Sequence, residues 1–363
     1  NHTSRTHVKG LAVTAIKFGI SFTTKFLNQG NALVHVFTDG SVQVSTGGTE
    51  MGQGLNTKIR QVVADVFGIP PEVVSLMSTS TEKNHNTSPT AASAGTDLNA
   101  TAAAEAAEEI RGRLAEFAAS QFASLERGLV HSPDDVVFED GHIYDRRDPA
   151  QHGGPVRRLP FGELCDLARR QRVDLGARGF YATPGVDFNR ETGKGNPFFY
   201  YTTGAAAAEV TIDRFTGDLV VDRVDVLMDV GRMINPGIDR GQLYGGFVQG
   251  MGWATTECLV YGDDGRLLSD SPTTYKVPDA TDTPRVFNLD TIANPKHRIN
   301  VRQSKAVGEP PLMLGIAPWL AARHAMSFLA DGRTIDLKLP ATNEELLMCM
   351  TRLTADEPAA VTA

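Results

Sequence analysis

The chain alternates between two hydrophobic rhythms. Residues 11–18 (LAVTAIKF) carry the β-branched run of a strand, and residues 33–46 (ALVHVFTDGSVQVS) alternate apolar and polar positions on either side of Asp39-Gly40. An Asp-Gly pair between alternating segments predicts a hairpin. After a glycine-rich stretch, GGTEMGQG at 47–54, Leu55, Ile59, Val62, Val63 and Val66 fall on one helical face. Pro70-Pro71 closes that helix, and VVSLM is the next strand. An alanine-rich segment over 92–124, with no internal proline, predicts a long helix.

Beyond residue 130 the pattern is less regular. PDDVVFEDGHIYD (133–145) predicts a small hairpin, FGELCDLARRQ (161–171) a short helix, and 182–200 a loop-rich stretch. From about 205 two strands flank a turn at Thr216-Gly217-Asp218. A helix rich in small residues follows over INPGIDRGQLYGGFVQGMGWATTE, then a third hairpin over 258–268, an apolar helical pattern over 312–330, and a last short helix at NEELLMCM. Strands and helices thus recur in two blocks without the regular βαβ rhythm of a parallel sheet, which defines an α+β class. The expected organisation is a first lobe over 1–130, an irregular connecting segment over 131–200 and a second lobe over 201–363.

Composition narrows the function classes. The 363 residues carry 35 Lys and Arg against 43 Asp and Glu, a formal net charge of −8 with no basic block. Nucleic acid and anionic membrane are therefore poor partners. No apolar run approaches the roughly 18 residues of a spanning helix. Cys165, Cys258 and Cys349 lie far apart, with no paired-cysteine motif, so neither a disulfide framework nor a zinc site is expected and a reducing cytoplasm is the default. The nine histidines show no metal-ligand spacing. Ser93 and Ser304 have no nearby histidine to suggest a hydrolase triad. Asn1-His2-Thr3 and Asn86-Thr87-Ser88 match the glycosylation tripeptide, which carries little meaning without a secretion signal. The chain opens on Asn and reads as a piece of a longer polypeptide.

Four segments can carry chemistry. Four glycines within GGTEMGQG allow close backbone approach to a ligand, and the helix that follows would aim unpaired N–H groups at an anion. Gln53 adds a side-chain amide, although a tight strand-to-helix turn explains the same residues. NTSPTAASAGTDLN (86–99) places small Ala91, Ala92 and Ser93 where a bulky cofactor can lie against a helix start. A plain capped helix is the simpler reading. Gly241, Gly245, Gly246, Gly250 and Gly252 sit in a helical pattern where each costs about 1 kcal/mol against alanine, which calls for close packing against a helix or a cofactor. Glu309, in SKAVGEPPLMLG (304–315), is a lone carboxylate between Gly308 and Pro310-Pro311. Apolar neighbours predict partial desolvation, proline predicts extended backbone, and both suit a pre-positioned general base. An acid answering the dipole of the following helix is the competing explanation. Glu105, Glu108 and Glu109 belong to a solvated helix face.

Taken in order, KFGISFT (17–23), LNQGNALVHVFTDGSVQVSTGGTEMGQGLNTK (27–58), NTSPTAASAGTDLN, PFFYYTTGAAAAEV, INPGIDRGQLYGGFVQGMGW, TTYKVP and SKAVGEPPLMLG resemble the C-terminal part of the molybdenum-binding subunit of the xanthine dehydrogenases, which are molybdenum hydroxylases. The likeness runs over most of residues 8–330 and implies a two-lobed molybdopterin-binding domain. It also implies a molybdopterin cofactor whose molybdenum carries oxo, sulfido and hydroxyl ligands, held by the pterin and not directly by protein. By this resemblance Met51, Gly52, Gln53, Ala91, Ala92, Ser93 and Gln242 contact the cofactor. Phe22 stacks on an aromatic substrate with Thr23 beside it. Glu309 is the catalytic base that deprotonates the hydroxyl ligand, and Lys305 and Gly308 shape its loop. The implied reaction is hydroxylation of a purine ring carbon, hypoxanthine or xanthine to urate, with oxygen from water. Electrons would leave through two [2Fe-2S] clusters and FAD in a partner subunit to NAD⁺, in an α2β2-type heterotetramer.

Two features depart from the family pattern. Tyr244 stands where the family usually has glutamate, and Asn84-His85-Asn86 differs from the common sequence. The first part of the family's molybdenum subunit, with the acid and arginine that select purines, is absent from this chain. An aldehyde oxidase or a nicotinate dehydrogenase shares the glycine-rich and GEPP segments, and a non-catalytic assembly module of the same fold is the alternative of a different class. KFGISFT and SPTAAS favour the xanthine type.

Overall fold

The computed structural model describes residues 4–125, 132–147, 158–294 and 296–355. The Asn1-His2-Thr3 tripeptide lies outside them. In chain order the strands are β1 (His7–Ile20), β2 (Gln29–Val36), β3 (Val42–Thr46), β4 (Val74–Leu76), β5 (Val136–Glu139), β6 (His142–Asp145), β7 (Leu159–Pro160), β8 (Gly176–Ala182), β9 (Asp187–Asn189), β10 (Lys194–Asn196), β11 (Tyr200–Asp213), β12 (Leu219–Asp229) and β13 (Val286–Thr291). The helices are α1 (Leu55–Phe67), α2 (Gly95–Leu125), α3 (Phe161–Arg170), α4 (Pro236–Thr255), α5 (Glu309–Leu314), α6 (Ala317–Ser327) and α7 (Asn343–Ala355). This is the mixed helix-and-sheet class expected from the alternating rhythms.

Contacts divide the chain into two compact units that do not follow chain order. One takes Gly19–Tyr200 and Lys296–Ser304; the other takes Asn1–Phe18, Tyr201–Pro295 and Lys305–Ala363.

The unit built on Gly19–Tyr200 centres on a four-stranded sheet in the order β4-β3-β2-β8. β2 and β3 form the hairpin predicted around Asp39-Gly40, and the Asp39 carboxylate accepts from the Ser41 N–H (2.9 Å) to fix the turn. α2 packs on β2 and β8. Its buried face is Ala100, Ala102, Ala103, Ala106 and Ala107, small enough for the helix to sit directly on the strands. A Cβ at Gly179 of β8 would lie 1.8 Å from the Ala102 carbonyl oxygen, so only glycine permits that approach. Glu105, Glu108 and Glu109 are exposed, as a solvated helix face requires. The predicted 133–145 hairpin is present as β5 and β6, with β7 added at its edge.

The other unit carries a sheet in the order β1-β11-β12-β13. β11 and β12 pair antiparallel around the predicted turn, and β13 adds parallel to β12. One sheet face contributes Ala206, Ala208, Val210, Ile212, Val224 and Met228 to a core completed by Leu243, Phe247 and Met251 of α4 and by apolar positions of α6 and α7.

Three expectations are corrected here. The third hairpin, 258–268, is reduced to one isolated bridge between Tyr261 and Leu267. β13 was not anticipated, because its partner β12 is distant in sequence and its own alternation is weak. The apolar pattern over 312–330 forms two helices, not one. Pro318 has no N–H to continue the ladder, so α5 ends at Leu314 and α6 begins anew at Ala317.

Two glycines of α4, Gly246 and Gly250, are explained by packing on α5. A Cβ at Gly250 would lie 2.0 Å from the Leu312 carbonyl oxygen, whereas one at Gly245 meets nothing within 4 Å. Gly250→Ala is therefore expected to lower stability by about 1–3 kcal/mol through overpacking, while Gly245→Ala should raise it by up to about 1 kcal/mol through helix propensity. Thermal unfolding of the two variants beside the parent checks the pair.

Candidate active-site residues

In the unit built on Gly19–Tyr200, the glycine-rich turn links β3 to α1 as expected, but its helix end is not an open anion cradle. The Glu50 carboxylate fills it, accepting the backbone N–H groups of Gly52, Gly54 and Asn56, each at 2.9 Å. Partial burial pushes this carboxyl up, yet the N–H groups of Asn56, Gly54, Gly52 and Met51 together outweigh it and hold it below the usual range. The sequence expectation of unpaired N–H groups aimed at a ligand is thus corrected: the turn supplies its own anion. Gln53 is also engaged within the turn, accepting from the Met51 N–H (2.6 Å) and donating through Nε2 to the Thr49 oxygen (2.9 Å). An amide nitrogen carries two hydrogens, so one donor beyond that bond is left for a ligand. Met51 is 67% exposed. Gly52 has φ of +100°, and an added Cβ there would meet nothing within 4 Å, which leaves bare, open backbone.

The second predicted segment lies beside this turn. The Thr49 N–H donates to Thr90 Oγ1 (2.9 Å), and Gly47 backs directly onto the Thr87 side chain. Ala91 is exposed, and Ala92 and Ser93 adopt left-handed backbone (φ 53° and 52°) before α2 begins at Gly95. Met51–Gln53 and Ala91–Ser93 are therefore brought together.

Phe22 and Thr23 follow the end of β1 in a tight turn. Asn28 clamps it, accepting from the Phe22 N–H and donating to the Phe22 oxygen, both at 2.8 Å. Thr23 Oγ1 accepts from Arg190 at 3.3 Å, and Arg190 also binds Thr24 Oγ1. Both side chains are partly exposed. Of the residues in the departure noted above, Asn84 donates to the Ser80 oxygen at 3.0 Å, and His85 faces Arg178 of β8.

In the other unit, Glu309 is the first residue of α5 and is exposed. The expectation of an extended, semi-dry carboxylate is corrected. Proline at the second position of a helix suits a first turn, whose N–H groups have no partner within the helix, and that turn leaves the preceding side chain at an open end. What is buried is its anchor. Lys305 Nζ donates to Asp229 Oδ2 (2.7 Å) and to the Tyr201 oxygen (2.9 Å), with only 8% of the lysine and 11% of the aspartate side chain exposed. Asp229 also accepts from the Asn294 amide (2.7 Å) and the Gly231 N–H (3.0 Å). Burial pushes the Asp229 carboxyl up, but Lys305, Gly231 and Asn294 outweigh that and hold it below the usual range.

Gln242 lies on α4 one turn before Gly246, whose Cβ position faces Pro311 and the Gly308 oxygen. Tyr244 lies away from that stripe. Its ring packs edge-on against Phe287 at 4.8 Å, in aromatic packing with β13. Sequence reasoning missed Asp97. Tyr200 Oη donates to its Oδ2 and Asn300 Nδ2 to its Oδ1, both at 2.8 Å. Burial raises this carboxyl to about 6 against the opposing pull of Asn300, Tyr200 and Lys58. No local motif flags it, because its partners are 103 and 203 residues away.

The fold is an α+β domain of mixed sheets and helices. The model of the molybdopterin cofactor-binding domain matches residues 1–284, and the chain belongs to that family. It is 42% identical over 369 residues to a xanthine dehydrogenase of Oryza sativa subsp. japonica, covering 98% of this chain and 24% of that protein. It is 41% identical over 353 residues to a xanthine dehydrogenase of Dictyostelium discoideum, covering 95% of this chain and 23% of that protein. The chain thus spans about a quarter of the length of the curated relatives it matches. Among solved structures, quinoline 2-oxidoreductase from Pseudomonas putida 86 shares the fold with a TM-score of 0.78 at 24% identity, over 97% of this chain and 42% of that one. An aldehyde oxidoreductase from Desulfovibrio gigas shares it with a TM-score of 0.70 at 22% identity, over 96% of this chain and 33% of that one.

The bare backbone at Gly52 and the exposed, small Ala91 fit a bulky cofactor: close approach meets no side chain there. Among the described residues no cluster of His, Cys, Asp or Glu could hold a metal ion. The Lys305 anchor generates a direct expectation. Lys305→Met strands a buried carboxylate and should cost about 3 kcal/mol, read as a lowered unfolding midpoint. Adding Asp229→Asn should recover much of that loss.

Proposed function

We propose that this chain is the base-carrying part of the molybdenum-binding portion of a xanthine dehydrogenase, which hydroxylates hypoxanthine and xanthine to urate. The observation that carries the reading is Glu309: an exposed carboxylate at the start of α5, on a segment fixed by the buried Lys305–Asp229 pair and by close packing on α4. The names of relatives about 40% identical along nearly the whole chain support the substrate class. The net reaction is xanthine, water and NAD⁺ giving urate, NADH and a proton. Bound molybdopterin would supply the redox-active molybdenum that activates water-derived oxygen and takes up two electrons. Met51, Gly52, Gln53, Ala91, Ala92, Ser93 and Gln242 hold that cofactor. Phe22 stacks on the purine, with Thr23 beside it. Glu309 accepts a proton at a carboxylate oxygen as the nucleophile forms, and its fixed backbone keeps the acceptor in register.

Iron–sulfur clusters and FAD in a partner would carry the electrons on to NAD⁺, within an α2β2-type assembly. Cys165, Cys258 and Cys349 are all free thiols, in keeping with a cytoplasmic setting. Among the described residues no helix is long and apolar enough to cross a membrane.

The test is urate formation from xanthine with NAD⁺ by the full-length enzyme and its Glu309→Gln variant at matched molybdenum content. The variant should lose roughly 10² to 10⁴-fold in rate. Equal turnover would remove Glu309 as the base. A molybdenum-loaded parent inert toward xanthine would redirect the search to another heterocycle or an aldehyde.

A further inference from the structure

Glu50 is the one acid in GGTEMGQG, and the reaction does not use it. Its side chain is exposed, yet both carboxylate oxygens are engaged. One accepts from the Gly52 and Gly54 N–H groups and the other from the Asn56 N–H, each at 2.9 Å. Gly54, the residue before α1, has no side chain with which to cap the helix. A carboxylate four residues upstream does so in its place.

Glycine creates the need for such a device. Gly52 and Gly54 have φ of +100° and +79°, backbone that glycine enters readily and leaves as readily. A Cβ at Gly52 would meet nothing within 4 Å, so no neighbouring side chain holds the residue in that direction. Hydrogen bonds must fix the turn instead. Gln53 makes two, with the Met51 N–H and the Thr49 oxygen. Glu50 makes three, and each is charge-assisted, roughly twice as strong as a bond between neutral groups. These three bracket Gln53, with Gly52 on one side and Gly54 and Asn56 on the other.

We propose that Glu50 is a positioning residue for the cofactor, locking the Met51–Gln53 turn in its receiving shape before molybdopterin is bound. It acts through backbone N–H groups and does not touch the cofactor. Two accepting oxygens are essential to that role. A glutamine amide offers one accepting oxygen and an NH₂ that would face an N–H, whereas aspartate keeps both oxygens on a shorter arm. The assignment rests on the reading of Met51–Gln53 as cofactor contacts, and every residue in it belongs to the unit built on Gly19–Tyr200.

The test uses the full-length enzyme, prepared with and without molybdopterin, carrying Glu50→Gln or Glu50→Asp. Amide hydrogen exchange over 51–56 is measured in the cofactor-free protein, and molybdenum loss during dialysis in the loaded one. With Glu50→Gln, exchange should rise about tenfold. Molybdenum should be lost about tenfold faster, because a less populated binding-competent turn weakens retention in proportion. Turnover per retained molybdenum and the KM for xanthine should hold. Glu50→Asp should lie nearer the parent in both readouts, although glutamine is the closer match in size; a role in filling space predicts the opposite order. Unchanged exchange in cofactor-free Glu50→Gln, or that opposite order, overturns the proposal. Raised exchange with molybdenum held as firmly as in the parent overturns it too, and Gln53→Ala then separates the causes. If Gln53→Ala also keeps its molybdenum, the cofactor reading of the turn fails; if it loses molybdenum, that reading stands and only the role of Glu50 is rejected.

Discussion

The buried ion pair between Lys305 and Asp229 is the constraint on which the candidate base depends. Two charges withdrawn from water are costly unless each finds several partners. Here the ammonium reaches a carboxylate and a carbonyl oxygen, and the carboxylate gathers a lysine, an amide and a backbone N–H. Asp229 ends β12 and Tyr201 lies at the start of β11, so the lysine binds the same end of two paired strands. The segment leading to Glu309 is thereby tied to the paired ends of β11 and β12, and after buried Ala306 and Val307 it reaches solvent at Gly308 and Glu309.

The glycine pattern of α4 serves the same end by a different means. Removing side chains at Gly246 and Gly250 lets α5 approach until backbone meets backbone, and such a contact leaves little room for sliding. Pro310 and Pro311 are buried on that side while Glu309 points out. A rigid support with an exposed acid at its tip is what a general base requires, since a proton acceptor works only within hydrogen-bond reach of its donor.

Much of this was legible in the chain itself. The Asp39-Gly40 hairpin, the α1 stripe and the proline-free alanine run are governed by local rules, and each is present. The expectation of close packing holds for Gly246 and Gly250 of α4, whereas Gly241 and Gly245 meet nothing within 4 Å. What failed was non-local or depended on competing partners. β13 pairs with a strand far away in sequence, and Asp97 draws its partners from positions 200 and 300. The α1 terminus looked like an anion site because sequence shows the glycines but not that Glu50 folds back to occupy the N–H groups. Glu309 was expected to be extended and dry because proline restricts its neighbour. The structure resolves that preference the other way, with the prolines completing a first helical turn. The acid at the helix start is the arrangement that the dipole explanation described, and it does not compete with a catalytic role.

The most direct measurement is steady-state urate formation by the full-length enzyme carrying Lys305→Met, assayed at a temperature where it remains folded and with molybdenum content matched to the parent. If Glu309 works because its segment is anchored, kcat should fall by roughly 10 to 10²-fold while KM holds steady. Unchanged kcat in a folded, fully loaded variant would contradict the account, since the anchor would then have no part in placing the base.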